Sequence, residues 1–64
     1  MNKLKIERIK RNIKQKQLAK TLGITQQHLY RIEKGDVDLK KSLMLKIAAA
    51  LDTTVQELFF SDEE

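Results

Sequence analysis

Residues 15–35 carry two short apolar patterns separated by a glycine, and this spacing constrains the fold more than any other feature of the chain. The segment reads QKQLAKTLGITQQHLYRIEKG. Leu18, Ala19 and Leu22 fall on one side of a short helix. Gly23 follows directly, where the left-handed backbone that ends a helix is open to glycine without strain. The sequence therefore predicts a helix that stops at this glycine and a chain that turns there.

A second helix is predicted immediately after this turn. Thr25 is suited to cap it, since its hydroxyl can accept a hydrogen bond from a free N–H of the first turn. Leu29 and Ile32 share one side of this helix and are expected to face inward. The polar and basic residues left facing outward are Gln26, Gln27, Tyr30, Arg31 and Lys34. Helices over 15–22 and 26–34 joined in this way form a helix-turn-helix, and the second has the length to enter the major groove of DNA.

The composition allows only one kind of core. The 64 residues predict a single domain, 1–64, and a chain of this length buries only about 60% of its unfolded surface. There is no cysteine for a disulfide or a thiolate metal site, and no proline interrupts a helix. We therefore expect a compact all-α bundle without a cofactor. No apolar run is long enough to cross a bilayer and no signal peptide is recognisable, so a cytoplasmic protein without membrane contact is expected.

Charge is distributed unevenly along the chain. Residues 1–34 carry ten Lys or Arg against two Glu, a net charge of +8, whereas residues 35–64 carry three Lys against seven Asp or Glu, a net charge of −4. Helices solvated by lysine would explain part of this asymmetry. Because the basic half coincides with the helix-turn-helix, a nucleic-acid-binding face is favoured.

Another helix is predicted before the helix-turn-helix. It runs over about 3–11 and places Leu4 and Ile9 on its buried side. Asn12 follows this helix, and asparagine comes next after glycine among residues that accept a left-handed backbone at a helix end. The chain should therefore turn at Asn12 before it enters the helix-turn-helix.

Two helices are predicted in the C-terminal half, over about 40–51 and 55–60. The first is the most apolar of the five through Leu43, Met44, Ile47, Ala48 and Leu51. Thr54 and Glu57 have the spacing of a capping box, which sets the start of the last helix. The acidic tail at 61–64 is expected to be frayed.

One register of matches to a known pattern runs through nearly the whole chain. The pattern has an arginine on the first helix, Gln-x-x-Leu-Ala-x-x-x-Gly opening the motif and Glu-x-Gly closing it. The matching residues are Arg8, Gln15, Leu18, Ala19, Gly23, Leu29, Ile32, Glu33 and Gly35, with Ile47, Ala48, Leu51 and residues 55–59 in the last two helices. The chain thus resembles the Cro and lambdoid-repressor type of helix-turn-helix protein, the XRE family. The resemblance implies a lambda-repressor-like DNA-binding domain, an all-α bundle of five helices with the helix-turn-helix at 15–34.

The exposed start of the helix over 26–34 is the end that meets base edges in this motif. Glutamine can bond adenine N6 and N7, arginine can bond guanine O6 and N7, and a threonine methyl can touch the methyl group of thymine. The alternative is that these are solvated helix residues and that the threonine only caps its helix. The resemblance favours base contacts by Thr25, Gln26, Gln27 and Arg31.

The N-terminus of the helix over 15–22 presents free N–H groups that suit an anion. By resemblance Gln15 clamps a DNA phosphate there, and neighbouring lysines add positive charge. The full set of predicted phosphate contacts is Lys14, Gln15, Lys16, His28, Tyr30 and Lys34. Two alternatives stay open, since His28 is otherwise a solvated residue and Tyr30 otherwise packs along its helix.

Two features depart from the family pattern. Lys14 stands at the N-cap position that Ser, Thr or Asn usually fills, which costs about 1 kcal/mol unless a bound phosphate satisfies the same N–H groups. Asp36 and Asp38 stand where related proteins often carry basic residues. The loop after the recognition helix is therefore expected to touch DNA little.

Glu33 has the wrong charge for a surface that meets DNA. By resemblance its partner is Arg8, and we expect a structural ion pair that ties the first helix to the recognition helix. His28 is the only histidine and cysteine is absent, so no metal site is expected. No nucleophile–base pair can be assembled, so we predict that the protein is not an enzyme.

The last helix concentrates apolar residues in one and a half turns. Two adjacent phenylalanines cannot both point from one helix into a small core, so one of them is either a tolerated surface aromatic or part of a contact. Dimerisation through this helix is common in the family, and small helix-turn-helix modules read paired half-sites. The predicted dimer surface is Val55, Leu58, Phe59 and Phe60.

The resemblance implies a sequence-specific DNA-binding transcriptional regulator. We expect a repressor that binds a pseudo-palindromic operator as a homodimer, with no room for a ligand-sensing domain. Its expected partners are double-stranded DNA and a second copy of the chain, and a regulatory protein is a further candidate. The alternative is an antitoxin or adaptor, a protein-interaction module whose last helix docks a partner.

Overall fold

Five α-helices joined by short loops make up residues 2–60, the part of the chain that the computed structural model describes. They are α1 (Leu4–Lys10), α2 (Gln15–Leu22), α3 (Gln26–Lys34), α4 (Lys41–Ala50) and α5 (Val55–Phe59). This range contains no strand, which confirms the predicted all-α class. The helix bounds agree with the sequence predictions to within one residue at each end. The tail predicted to be frayed, 61–64, lies outside the described residues.

The turns between helices have the left-handed backbone that the sequence predicts. Gly23 ends α2 with a φ of 74° and Gly35 ends α3 with a φ of 81°. A Cβ added at either glycine would meet no atom within 4 Å, so glycine is needed for its backbone freedom and not for space. Asn12 makes the same kind of turn after α1 with a φ of 56°, as predicted, and Asp52 does so after α4.

Threonine side chains at the N-cap start two of the five helices. The hydroxyl oxygen of Thr25 accepts a hydrogen bond of 3.0 Å from the backbone N–H of His28, and that of Thr54 accepts one of 3.1 Å from the N–H of Glu57. Lys14, at the N-cap of α2, makes no side-chain cap. The first N–H groups of α2 thus lack a side-chain cap, and this end of the helix can attract an anion.

The core is built from one apolar stripe of each helix. The buried apolar residues of the described range are Leu4, Leu18, Ala19, Leu22, Leu29, Ile32, Ile47, Ala48, Leu51 and Leu58. Helix α2 packs against α3 and α4, while α5 packs against α4 and α1. Because α3 buries only Leu29 and Ile32, its remaining polar side chains lie at the surface of the bundle.

The prediction that Ile9 is buried is wrong. Its side chain is 54% exposed, and Arg8 takes the inward position beside Leu4. Residues four apart share a face of a helix, so Leu4 and Arg8 point the same way, while Ile9 is turned by about 100° from Arg8. The sequence favoured Ile9 as the buried residue because it is apolar. Arg8 can be buried instead because its guanidinium has a partner in another helix, and the pattern of α1 alone does not contain that information.

The structure also corrects the predicted dimer surface. Leu58 is only 1% exposed and belongs to the core of its own chain, so it is not available to a second copy. Val55 and Phe59 are partly buried and pack against that core. Phe60, at the end of α5, is 62% exposed. The two adjacent phenylalanines therefore separate, as the helix geometry requires, into one that packs inward and one that faces solvent.

Candidate nucleic-acid interface

The outer face of α3 is polar and accessible over its whole length. Gln26, Gln27, Tyr30 and Arg31 are all exposed on it. Thr25 is exposed just before them, with its hydroxyl oxygen occupied by the helix cap. The four predicted base contacts thus lie together on one helix end and its first two turns, which is the part of such a helix that meets base edges.

A shallow cleft separates the start of α3 from the start of α2. It has a volume of about 300 Å³ and is lined by Gln15, Gln26, Gln27 and Tyr30. Three carboxamides and one phenol offer both donors and acceptors at its surface. The structure therefore brings one predicted phosphate contact, Gln15, next to two predicted base contacts.

The ion pair between Arg8 and Glu33 is connected to this cleft through Gln15. Nε of Arg8 donates to Oε2 of Glu33 at 2.7 Å, and Nη2 donates to Oε1 at 3.3 Å. The third nitrogen, Nη1, donates to the backbone carbonyl of Ile13 at 2.8 Å. The two side chains are only 10% and 3% exposed. This geometry ties α1, the turn before α2 and the recognition helix α3 to one another.

A chain of hydrogen bonds leads outward from this pair. Nε2 of Gln15 donates to Oε1 of Glu33 at 3.0 Å, and Nε2 of Gln26 donates to Oε1 of Gln15 at 3.2 Å. A carboxylate can only accept, so Gln15 must turn its amide nitrogen inward and its oxygen outward. That oxygen in turn attracts the amide nitrogen of Gln26. We call Arg8, Glu33, Gln15 and Gln26, linked in this order, the amide relay.

The relay fixes which groups Gln26 has left for a ligand. One hydrogen of its Nε2 is engaged by Gln15, while its Oε1 and the second hydrogen remain available. A donor and an acceptor side by side match adenine, which presents N7 as an acceptor and N6 as a donor in the major groove. Gln15 likewise donates one hydrogen of its Nε2 to Glu33, so its second N–H remains for a phosphate oxygen.

Sequence reasoning found the members of the relay but not their connection. The four residues are spread from position 8 to position 33, and no helical or strand period links them. The available signal was Glu33 itself, a carboxylate among basic and amide residues. The family resemblance assigned Arg8 as the partner of Glu33. The hydrogen bonds from Glu33 through Gln15 to Gln26 could not be predicted, because they depend on how α2 and α3 pack.

The predicted phosphate contacts lie in two groups. Lys14 and Lys16 are exposed beside Gln15 at the uncapped start of α2, where the helix dipole also attracts an anion. Lys34 lies at the other end of α3. Its Nζ is 5.4 Å from the centre of the Tyr30 ring and 3.8 Å from Oδ2 of Asp36.

His28 is the remaining predicted phosphate contact. The residue is exposed in the first turn of α3, where its backbone N–H serves the Thr25 cap. No group of three or more His, Cys, Asp or Glu residues that could hold a metal ion occurs within residues 2–60. The imidazole therefore stands at the edge of the exposed face of α3 without companions of that kind.

Helix α1 adds less positive charge to this side than its composition suggests. Nη1 of Arg11 donates to Oε1 of Glu7 at 2.6 Å, and Nζ of Lys10 lies 3.5 Å from Oε2. The hydrogen bond from Arg11 lowers the pKa of the Glu7 carboxyl below its ordinary value, so this group stays ionised. The positive charges left without a described carboxylate partner include Lys14 and Lys16 at the start of α2 and Arg31 on α3.

Comparison with known proteins places this geometry in a family. A helix-turn-helix family model, HTH_3, matches residues 4–58. The chain belongs to this helix-turn-helix family. The match confirms the resemblance to the XRE type and covers all five helices except the last residue of α5. Relatives of the chain are named as HTH-type transcriptional regulators, so this helix-turn-helix protein belongs to a family of transcriptional regulators.

Relatives of this helix-turn-helix protein have similar length. It is 36% identical over 63 residues to an uncharacterized HTH-type transcriptional regulator of Methanocaldococcus jannaschii, covering 98% of this chain and 96% of that one. It is also 36% identical over 63 residues to the uncharacterized HTH-type transcriptional regulator YgzD of Bacillus subtilis, with the same coverage. A third relative, from Archaeoglobus fulgidus, is 32% identical over 62 residues, covering 97% of this chain and 87% of that one.

A solved structure shares the fold of this helix-turn-helix protein. The crystal structure of the clp gene regulator ClgR from Corynebacterium glutamicum superposes with a TM-score of 0.78 at 21% identity. The alignment covers 81% of this chain and 55% of that one, so this chain spans about half the length of ClgR. The likeness confirms the predicted fold. In addition, no described helix has the length and apolar character to span a bilayer.

Proposed function

We propose that this helix-turn-helix protein is a sequence-specific repressor that binds a pseudo-palindromic DNA operator as a homodimer. The observation that carries the proposal is the amide relay, which holds Gln26 in one orientation at the exposed start of α3. Orienting a side chain before binding lowers the entropy lost when it meets a base.

In the proposed complex α3 lies in the major groove. Gln26 and Gln27 bond adenine edges, Arg31 bonds a guanine one turn farther along the helix, and Thr25 touches a thymine methyl. The cleft beside Tyr30 leaves room for a base edge between the two helices. These contacts are compatible with one another because all of them start from the same exposed face.

Phosphate contacts position the protein on the duplex in this proposal. The free N–H groups of α2, one N–H of Gln15, and the ammonium groups of Lys14 and Lys16 converge on one DNA strand. His28 and Tyr30, two residues apart on α3, reach the DNA backbone on different sides of that helix. Such contacts fix the register of α3 in the groove without reading sequence.

Repression would follow from occupancy of the operator, in the cytoplasm, where bound protein competes with transcription. The repressor role rests on the family resemblance. Pairing of two chains through Phe60 supplies a second recognition helix for the second half-site. The salt dependence of duplex binding tests the proposal directly. We expect the logarithm of the binding constant to fall steeply with the logarithm of salt concentration. A flat dependence, together with capture of a protein through α5, would instead identify an interaction module.

Base reading by α3 predicts distinct effects of two substitutions. Gln27→Ala and Arg31→Ala should each cost about 1–3 kcal/mol at the preferred operator and relax preference at separate base pairs. The measurement is binding of each variant to a set of operators with single base changes, selected first from random duplexes. Gln56→Ala, which removes an exposed carboxamide from α5, is the matched control. Equal weakening toward operator and random DNA, with preference unchanged, would exclude base reading by these residues.

The start of α2 predicts an effect without sequence dependence. Lys16→Ala should weaken all duplexes alike and flatten the plot of log K against log salt by about one unit, because one phosphate contact is lost. Lys46→Ala removes an exposed lysine from α4 and should leave the slope unchanged. If the Lys16 variant keeps the wild-type slope, this lysine does not contact phosphate.

A further inference from the structure

The end of α3 carries a lysine whose charge is already engaged. Lys34 is the last residue of the helix, one turn beyond Tyr30 and Arg31, so it shares their face. Its Nζ lies 3.8 Å from the carboxylate of Asp36 and 5.4 Å from the centre of the Tyr30 ring. The ammonium is thus attracted from two sides within its own chain.

The carboxylate that engages Lys34 stands on a fixed backbone. The N–H of Asp36 donates to the carbonyl of Arg31 at 3.0 Å, and the N–H of Gly35 donates to the carbonyl of Ile32 at 3.0 Å. These two bonds close the left-handed turn at the end of the helix. Asp36 is therefore held next to the last turn of the recognition helix and does not move freely with a loop.

We propose that Asp36 limits the affinity of this protein for DNA by holding the Lys34 ammonium away from the phosphate backbone. The proposal rests on the proposed DNA-binding function and adds a regulating residue to that same interface. Lys34 and Asp36 have side chains that are 52% and 50% exposed, and a pair so open to water adds little to stability. Its effect is instead on the phosphate contact, because the Asp36 carboxylate competes with a DNA phosphate for the Lys34 ammonium.

Weaker binding to the DNA phosphate backbone can help a regulator to leave random DNA. Phosphate contacts strengthen binding to every duplex, whereas base contacts strengthen binding to the operator alone. A genome offers about 10⁶–10⁹ competing sites, so one phosphate contact fewer releases protein from random DNA without loss of discrimination. Asp36 would thereby keep more of the protein free to find its operator.

The neighbouring loop supplies a matched control. Asp38 lies two residues after Asp36 and carries the same charge, but among residues 2–60 it forms no ion pair with a lysine. Asp36→Asn and Asp38→Asn therefore remove equal charge from one loop, and only the first releases an ammonium. Lys34→Gln, alone and combined with Asp36→Asn, shows whether an effect passes through this lysine.

The experiment measures dissociation constants of these variants for the selected operator and for a scrambled duplex between 50 and 200 mM salt. Asp36→Asn should bind both duplexes more tightly by the same factor at 50 mM. Its log–log slope should steepen by about 0.9, so that its affinity falls about 3.5-fold more than wild type across this range. Asp38→Asn should keep the wild-type slope, and the double variant should return to the slope of Lys34→Gln.

Three outcomes would overturn the proposal. They are a slope of Asp36→Asn equal to that of wild type, an equal steepening in both asparagine variants, and a steepening that persists without Lys34. In each case wild type still binds duplex DNA and the proposed function stands. If wild type binds neither duplex at 50 mM salt, the proposed function fails and the role of Asp36 fails with it.

Discussion

Replacing Arg8 with alanine should lower the free energy of unfolding by about 3–5 kcal/mol, because it leaves a buried carboxylate without its cation. Glu33 is 3% exposed and receives two hydrogen bonds from Arg8, and the carbonyl of Ile13 loses its donor as well. A domain of this size has a total stability of about 3–10 kcal/mol. The alanine variant should therefore lose from about a third of its stability to all of it.

Urea titration followed by circular dichroism measures this effect. Lys5→Ala and Lys10→Ala remove the same charge from exposed positions of α1 and should shift the midpoint little. Arg8→Lys keeps the charge but loses the forked geometry, so its midpoint should lie below that of wild type. This variant supplies the measurement if the alanine variant does not fold. If the midpoints of the Arg8 variants equal those of Lys5→Ala and Lys10→Ala, the ion pair does not stabilise the fold.

Replacing Phe60 with glutamate should give a folded monomer whose affinity for the full operator is about 10²–10⁴-fold weaker. Phe60 is 62% exposed at the end of α5, and its charged replacement cannot pair with a copy of itself. Two recognition helices about 34 Å apart read both half-sites, and loss of the second removes the gain from linked binding. The free energy of unfolding should change little, because most of the Phe60 ring lies outside the core.

Sedimentation equilibrium at micromolar concentration distinguishes the two states. Leu45→Glu is the matched control, since Leu45 is 54% exposed on α4 and lies outside the predicted dimer surface. That variant should remain a dimer and keep its operator affinity. The homodimer proposal is wrong if wild type sediments as a monomer and binds a single half-site, or if the Phe60 variant remains paired.

Local chemistry made the helices and their ends predictable from sequence. Gly23 and Gly35 mark the ends of α2 and α3 because a left-handed backbone at those points strains other residues. Thr25 and Thr54 mark two starts because their hydroxyls reach the N–H three residues on. Each of these signals acts within a few residues, so no knowledge of packing was required.

Predictions that depended on packing were less complete. Ile9 was expected inside because it is apolar, but the inward place beside Leu4 belongs to Arg8, whose partner lies 25 residues away in α3. Leu58 was assigned to a surface because the whole end of α5 is apolar, although one side of that helix closes the core. The amide relay needed the relative placement of α2 and α3, which no pattern of spacing contains.

The amide relay has one end inside the fold and one end at the surface, and this asymmetry bears on how the protein can evolve. Replacing Gln26 frees only one oxygen of Gln15, which water can reach, whereas replacing Glu33 strands Arg8 and Gln15 together. In the proposed interface the outermost residue can therefore mutate while the fold persists, and the inner residues tolerate only compensated, paired substitutions. Descendants of this sequence would acquire new operator preferences at the outer end of the relay first.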